Sequence, residues 1–125
     1  MGELRLPPAA ESVPVARRFA RDQLRGSRCD TETAALLVSE VVTNAVLHGR
    51  SDVLLVVEDR GDSAYVSVSD TSPMPPRVHN FAVESATGRG LRLVDQLAQR
   101  WGVDPAPSGQ GKVVWFEVSR GGETP

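Results

Sequence analysis

Residues 36–49 read LLVSEVVTNAVLHG, and two periodicities run through them. Ala34, Leu37, Val38, Val41, Val42, Ala45 and Val46 recur at helical spacing and predict one apolar face. Glu40, Asn44 and His48 fall four residues apart, so on a helix they stack in a polar stripe. At about 100° per residue that stripe lies roughly a quarter-turn from the centre of the apolar face. It borders a core without pointing straight away from it. A carboxylate, an amide and an imidazole in that position suit the wall of a cleft. A solvated helix flank, with His48 at the negative end of the dipole, would use the same residues. Gly49 is placed to stop the helix in a left-handed C′ conformation.

Upstream, Glu3 to Leu6 can form a short strand ended by Pro7 and Pro8. Ser12 suits an N-cap and Pro14 a first helical turn. Val15, Ala16, Phe19, Ala20 and Leu24 then give an apolar face up to about Arg25, and Gly26 ends the helix. Its arginines, Arg17, Arg18, Arg21 and Arg25, read as a solvated face. Asp30 or Thr31 caps the central helix.

Downstream, Val53 to Glu58 is rich in β formers, and Ala64 to Ser69 alternates apolar and polar up to Asp70. Arg60-Gly61-Asp62-Ser63 between them is turn chemistry, so the two runs predict an antiparallel hairpin. Thr71 to Thr87 carries Pro73, Pro75 and Pro76 with little periodicity, and reads as a long functional loop. Gly88-Arg89-Gly90 opens a helical pattern of Leu91, Leu93, Val94, Leu97 and Ala98. Trp101-Gly102-Val103 starts a strand, Pro105 to Gly109 turns, and Lys112 to Ser119 is the last strand. Residues 121–125 read as a frayed tail after a single domain over 1–120. Clustered strands with helices between them predict an α+β fold: a two-layer sandwich, helices on one face of a mixed, mostly antiparallel sheet.

The totals narrow the function. The 125 residues carry 14 basic and 16 acidic side chains, a net charge of -2, and no basic block. That disfavours a direct nucleic-acid partner held by phosphate contacts and a polybasic membrane patch. Cys29 is the single cysteine, so neither an internal disulfide nor a thiolate zinc site is expected. No signal-peptide pattern or membrane-length apolar run is present, which makes a cytoplasmic location the expectation.

Two further groups carry chemistry. Gly88-Arg89-Gly90-Leu91 at a helix start lets backbone N–H groups and the positive dipole end approach a phosphate. A flexible turn before a helix would look the same. Asp70, at a strand end before the long loop, can accept a hydrogen bond from an exocyclic amino group such as adenine's, or can initiate a turn.

Taken together, Glu40, Asn44, His48, Asp70 and Gly88-Arg89-Gly90-Leu91 resemble the motifs of the GHKL superfamily of ATP-binding proteins. The polar helix resembles the N-box, Asp70 the adenine-binding Asp of the first glycine box, and Gly88–Leu91 the second box. Gly111 resembles the glycine that begins the final box. Within the superfamily the chain is similar to stand-alone anti-sigma regulatory factors with serine/threonine kinase activity, of the kind found in high-GC Gram-positive bacteria. TNAVLHG, GRGLRLVDQLAQRWGV and GKVVWFEV carry that similarity, as does a length of one bare domain with no preceding dimerisation helix.

The resemblance implies a Bergerat-type ATP-binding fold, with ATP and Mg²⁺ as cofactors. It implies Glu40 as general base and Asn44 as a Mg²⁺ ligand. His48 would support the cleft rim, Asp70 would read adenine, and Gly88 and Gly90 would offer amides to the phosphates, with Arg89 and Leu91 beside them. It implies a sigma factor or an anti-anti-sigma protein as partner, and a homodimer through the N-terminal strand and helix. There are departures from the family pattern. The first glycine box reads Asp70-Thr71-Ser72-Pro73-Met74, with both glycines replaced. Lys112 stands where a threonine often follows the last glycine. These departures also suit a non-catalytic protein-binding module with weak or no nucleotide binding.

Overall fold

The structure, a computed structural model, describes residues 1–48, 51–70, 88–106 and 111–119, and for residues 48 and 88–91 the backbone only. The expectations for Gly49, the 71–87 loop, the 107–109 turn and the 121–125 tail fall outside these residues. The elements are β1 (Gly2–Leu6), α1 (Ser12–Gln23), α2 (Thr31–His48), β2 (Val53–Asp59), β3 (Ala64–Asp70), α3 (Gly88–Leu97), β4 (Arg100–Pro105) and β5 (Lys112–Val118). The five strands form one sheet in the order β1-β2-β3-β5-β4, and each of the four pairings is antiparallel. The α+β sandwich expected from the sequence is the fold found.

Alternation sets which side of the sheet is covered. Val53, Leu55 and Val57 of β2, Ala64, Val66 and Val68 of β3, and Val114, Phe116 and Val118 of β5 are all buried. They form one core with Ala16, Ala20 and Leu24 from the first helix and its end, and with Ala34, Leu37, Val38, Val41 and Val42 of α2. Burying a side chain of the size of Leu37 or Phe116 contributes roughly 1.5–3 kcal/mol. α2 packs against α1 and α3 and touches β2, β3 and β5, so it runs through the middle of the helix layer.

The helix ends refine the expectations. Asp30, not Thr31, caps α2: its carboxylate accepts from the Thr33 N–H at 3.1 Å and the Thr33 hydroxyl at 2.8 Å. Ser12 does not cap α1. It is the first helical residue, buried, and its hydroxyl donates to the Pro7 carbonyl at 2.7 Å. Glu11 takes the N-cap position without a side-chain bond. Val15 of α1 is 46% exposed, and Val13 packs on the core in its place. Strand β4 extends through Asp104 to Pro105, which was expected to begin the turn. It is an edge strand, where proline's missing N–H costs no ladder bond.

The second face of the sheet carries its own cover. Tyr65 and Trp115 stack with centroids 6.1 Å apart, and the Arg60 guanidinium sits 4.4 Å from the Tyr65 ring centre. The Trp115 indole donates to Asp104 at 3.0 Å and lies tight over Gly102. Glu117, 5% exposed, accepts from Arg60 at 3.1 Å and from Arg100. Burial pushes the Glu117 carboxyl up, but the bonds and charges of Arg100 and Arg60 together outweigh it and hold the group below the usual carboxylate range.

Candidate functional site

Asn44, from the middle of the α2 polar stripe, and Asp70, at the C-terminal end of β3, line one narrow cleft. Val41, Asn44 and Ala45 of α2 form one wall. Val68 and Asp70 of β3 and Lys112 and Val114 of β5 form the other, enclosing about 20 Å³, room for a water molecule. The apolar members supply flat hydrocarbon surfaces. An amide, a carboxylate and an ammonium are the polar groups among the described lining residues.

Strand parity explains why these side chains converge. Val66, Val68 and Asp70 alternate onto the helix side of β3. In β5 the register sets Val114 opposite Val68, so Lys112 and Asp70 occupy the same face, one step further along toward the same sheet end. Asp70 is 3% exposed and is the last residue of β3, paired with Val53. Gly111 presses on it from the start of β5. A Cβ at Gly111 would lie 2.1 Å from the Asp70 carbonyl oxygen and 2.7 Å from a carboxylate oxygen, and the backbone there has φ +81°. Both the space and the dihedral demand glycine.

Electrostatics in the cleft are dominated by the Asp70–Lys112 neighbourhood. Burial lowers the Lys112 ammonium from its ordinary 10.5 to about 8, and the negative charge of Asp70 works against that loss. Lys112 is therefore a half-buried cation next to a buried carboxylate.

Of the residues singled out in the sequence, the cleft brings together Asn44 and Asp70. Glu40 lies one turn before Asn44 on the same stripe, half-buried, and is not part of the cleft lining. His48 ends α2, its side chain outside the described residues. Gly88, Arg89, Gly90 and Leu91 form the first turn of α3, as expected for an N-terminal amide site, and α3 packs against α2. The side chains of that turn lie outside the described residues. Lys112 was missed as a cleft residue. Its signal was available: it shares strand parity with Val114, Phe116 and Val118, the apolar side of the last strand.

The chemistry of these residues suits one edge of an adenine and one position of a Mg²⁺ shell, and the space between them encloses about 20 Å³. A buried carboxylate seated against Gly111 is an acceptor of the kind an exocyclic amino group needs. Asn44 offers a carbonyl oxygen, the hard donor that Mg²⁺ takes alongside water and phosphate. Among the described residues no three His, Cys, Asp or Glu side chains cluster as a metal cage, and an ion held largely by phosphates needs none. No helix among the described residues is long and apolar enough to cross a membrane.

Comparison with known proteins bears on the same residues. A search of curated proteins finds no match. Among solved structures, the histidine kinase domain from the Erythrobacter litoralis EL346 blue-light activated histidine kinase is similar, with a TM-score of 0.53 and 25% sequence identity. The match covers 91% of this chain and 61% of that one. The model of the family described as "Histidine kinase-like ATPase domain" matches residues 6–118, from the end of β1 to the end of β5. The chain belongs to the histidine kinase-like ATPase (GHKL) domain family, whose members bind ATP, usually with Mg²⁺.

Proposed function

We propose that this protein is an ATP-binding anti-sigma regulatory factor that phosphorylates a serine or threonine hydroxyl of an anti-anti-sigma partner. The observation that carries the reading is that Asn44 and Asp70, from elements far apart in sequence, line one cleft. Asp70 accepts a hydrogen bond from the adenine amino group. Asn44 turns its carbonyl oxygen toward Mg²⁺. The amides of Gly88 and Gly90 at the positive end of α3 would hold phosphate oxygens, with Arg89 and Leu91 of the same turn contributing to nucleotide binding and His48 supporting the site. Glu40, beside the cleft and one turn from Asn44, takes the proton of the attacking hydroxyl. Bound Mg²⁺–ATP supplies the phosphoryl group and the charge neutralisation that such a transfer needs. The chain's own contribution is positioning.

The regulator acts in the cytoplasm on a sigma factor, an anti-anti-sigma protein, or both. A homodimer forms through β1 and α1. Support for that comes from the position of β1 at the sheet edge, where its outer backbone groups can pair with a second strand.

Calorimetry with Mg²⁺–ATP tests the binding step. Wild-type protein binds, Asp70→Asn weakens binding by about tenfold or more, and Asn44→Ala loses the Mg²⁺ dependence. In phosphotransfer assays, Glu40→Ala lowers the rate by orders of magnitude with ATP binding retained. Retained transfer would exclude Glu40 as the base. Ser72 and Met74, in place of the first box's glycines, favour a second reading: a protein-binding module without catalysis. No thermal shift at millimolar nucleotide would decide for the module.

A further inference from the structure

Strand β4 is one edge of the sheet, with no strand beyond it among the described residues. Its register with β5 decides which backbone groups face outward. Arg100, Gly102 and Asp104 stand opposite Glu117, Trp115 and Val113, and in the same register the Ala106 N–H donates to the Gly111 carbonyl at 3.2 Å. Bonded residues alternate along an antiparallel pair, so the even-numbered residues of β4 turn their N–H and C=O groups to β5. Trp101, Val103 and Pro105 turn theirs outward. Proline, with no N–H to give, falls on the outward row.

Side chains divide by the same parity. Arg100, Gly102 and Asp104 share the sheet face of Trp115 and Glu117, and Trp101 and Val103 lie on the helix face. Val103 is 38% exposed. Arg100 reaches Glu117 through Nε and Nη2, and Asp104 accepts the Trp115 indole with one oxygen. Nη1 of Arg100 and the other Asp104 oxygen bond nothing among the described residues, and the arginine side chain is 68% exposed.

The order of these residues has a twofold centre. Arg100 and Asp104 flank Gly102 at equal spacing, and so do Trp101 and Val103. In a second copy turned antiparallel about Gly102, Asp104 of each chain stands opposite Arg100 of the other, in the closer, non-hydrogen-bonded kind of pair. Trp101 of each stands opposite Val103 of the other. These are the residues with outward backbone groups, so each such pair exchanges two ladder bonds. Moving the centre to Trp101 or Val103 separates the opposite charges.

We propose that β4 pairs antiparallel with β4 of a second copy, centred on Gly102, so that two five-stranded sheets become one. Charges on an edge strand ordinarily keep other strands away; here they admit one partner in one register. The contact is isologous, and it leaves β1 and α1 at the other edge free for the homodimer proposed above. One short strand per copy makes a small contact, of the weak, concentration-dependent kind.

Sedimentation equilibrium of the full chain, from tens to hundreds of micromolar, tests it. Wild type gains mass over that range. Val103→Pro removes an outward N–H from each copy without touching the β5 ladder, and raises the dissociation constant of the contact by about tenfold or more. Asp104→Lys sets like charges opposite each other and acts in the same direction, most strongly at low salt. Mixing Asp104→Lys with Arg100→Asp restores the mass that each loses alone. A cooperative melt shows that a variant is folded. Val103→Pro decides the matter even if Arg100→Asp, which removes a partner of Glu117, does not fold. Wild type that stays monomeric throughout overturns the pairing. So does Val103→Pro that assembles like wild type, which would place assembly at another surface such as β1 and leave the nucleotide reading untouched. Folded charge variants that do not recover mass on mixing overturn the Gly102-centred register, and the proposal with it.

Discussion

Replacing Gly111 by alanine is the sharpest test of how the cleft is built. Two costs add. The backbone there has φ +81°, a left-handed conformation that costs an L-residue roughly 1–2 kcal/mol. The new methyl would also sit 2.1 Å from the Asp70 carbonyl oxygen and 2.8 Å from the carbonyl carbon. These are backbone atoms held in the pairing of β3 with β2, so they cannot swing away as a side-chain tip would. Relieving such a contact means parting the ends of β3 and β5, at about 1–3 kcal/mol, typical of overpacking. The sum is roughly 2–5 kcal/mol. For a chain of this size that lowers the melting temperature by about 3–5 °C per kcal/mol.

The molecule supplies its own controls. Gly26 at φ +81° and Gly61 at φ +90° have the same dihedral requirement, but a Cβ on either meets nothing within 4 Å. Gly26→Ala and Gly61→Ala therefore cost only the backbone part. Urea denaturation of the three variants, with unchanged slopes, separates the two terms. If Gly111→Ala loses no more stability than the two controls, the close seating of Gly111 on Asp70 is wrong, and so is the fixed position of that carboxylate.

Two other outcomes follow from the geometry. Asp30→Ala removes a cap that receives both the N–H and the hydroxyl of Thr33, and lowers stability by about 1–2 kcal/mol in urea titration, whereas Glu11→Ala, at a cap position with no side-chain bond, leaves it nearly unchanged. Glu117 is held below its ordinary value of 4.5 in the folded state, so the stability from its ionised form is fully present above that pH and is lost as pH falls through the lower folded value. Glu117→Gln removes that component, and its melting temperature declines less steeply than wild type's between about pH 5 and 3. Parallel declines would show that Arg60 and Arg100 do not stabilise the carboxylate.

Much of the fold was legible because strong periodicities had one physical solution. α2 carries its apolar positions over five turns, and a shift of register would have put charged or amide groups into the core. The 53–70 hairpin was legible because alternation and the Arg60–Ser63 turn agree, and the Arg60 N–H does bond the Ser63 carbonyl at 2.8 Å. Errors fell where a residue's fate depends on what packs against it. Val13 and Val15 are equally apolar, and which one turns inward is set by the sheet beneath α1, not by local pattern. Leu97 extended the helical pattern of α3 yet is 44% exposed, while its neighbour Ala98, one turn on from Val94, packs on the core instead. Pro105 reads as a turn former, but on the edge strand β4 it can still pair with Lys112.

The site was legible as residues and not as a constellation. Asn44 and Asp70 each had ordinary alternatives, a solvated amide and a turn-starting carboxylate, and nothing local joins them. What joins them is the antiparallel register of β3 with β5 and the passage of α2 over both strands, which no short stretch of sequence contains. Lys112 shows the limit most clearly. Beside Val113 and Trp115 it looks like the charged start of a strand, yet parity places it on the apolar side. An ammonium there is penalised by burial, and a threonine or methionine would fill the same position without that cost. The negative charge of Asp70 works against that penalty and keeps the ammonium on the apolar side of the sheet end.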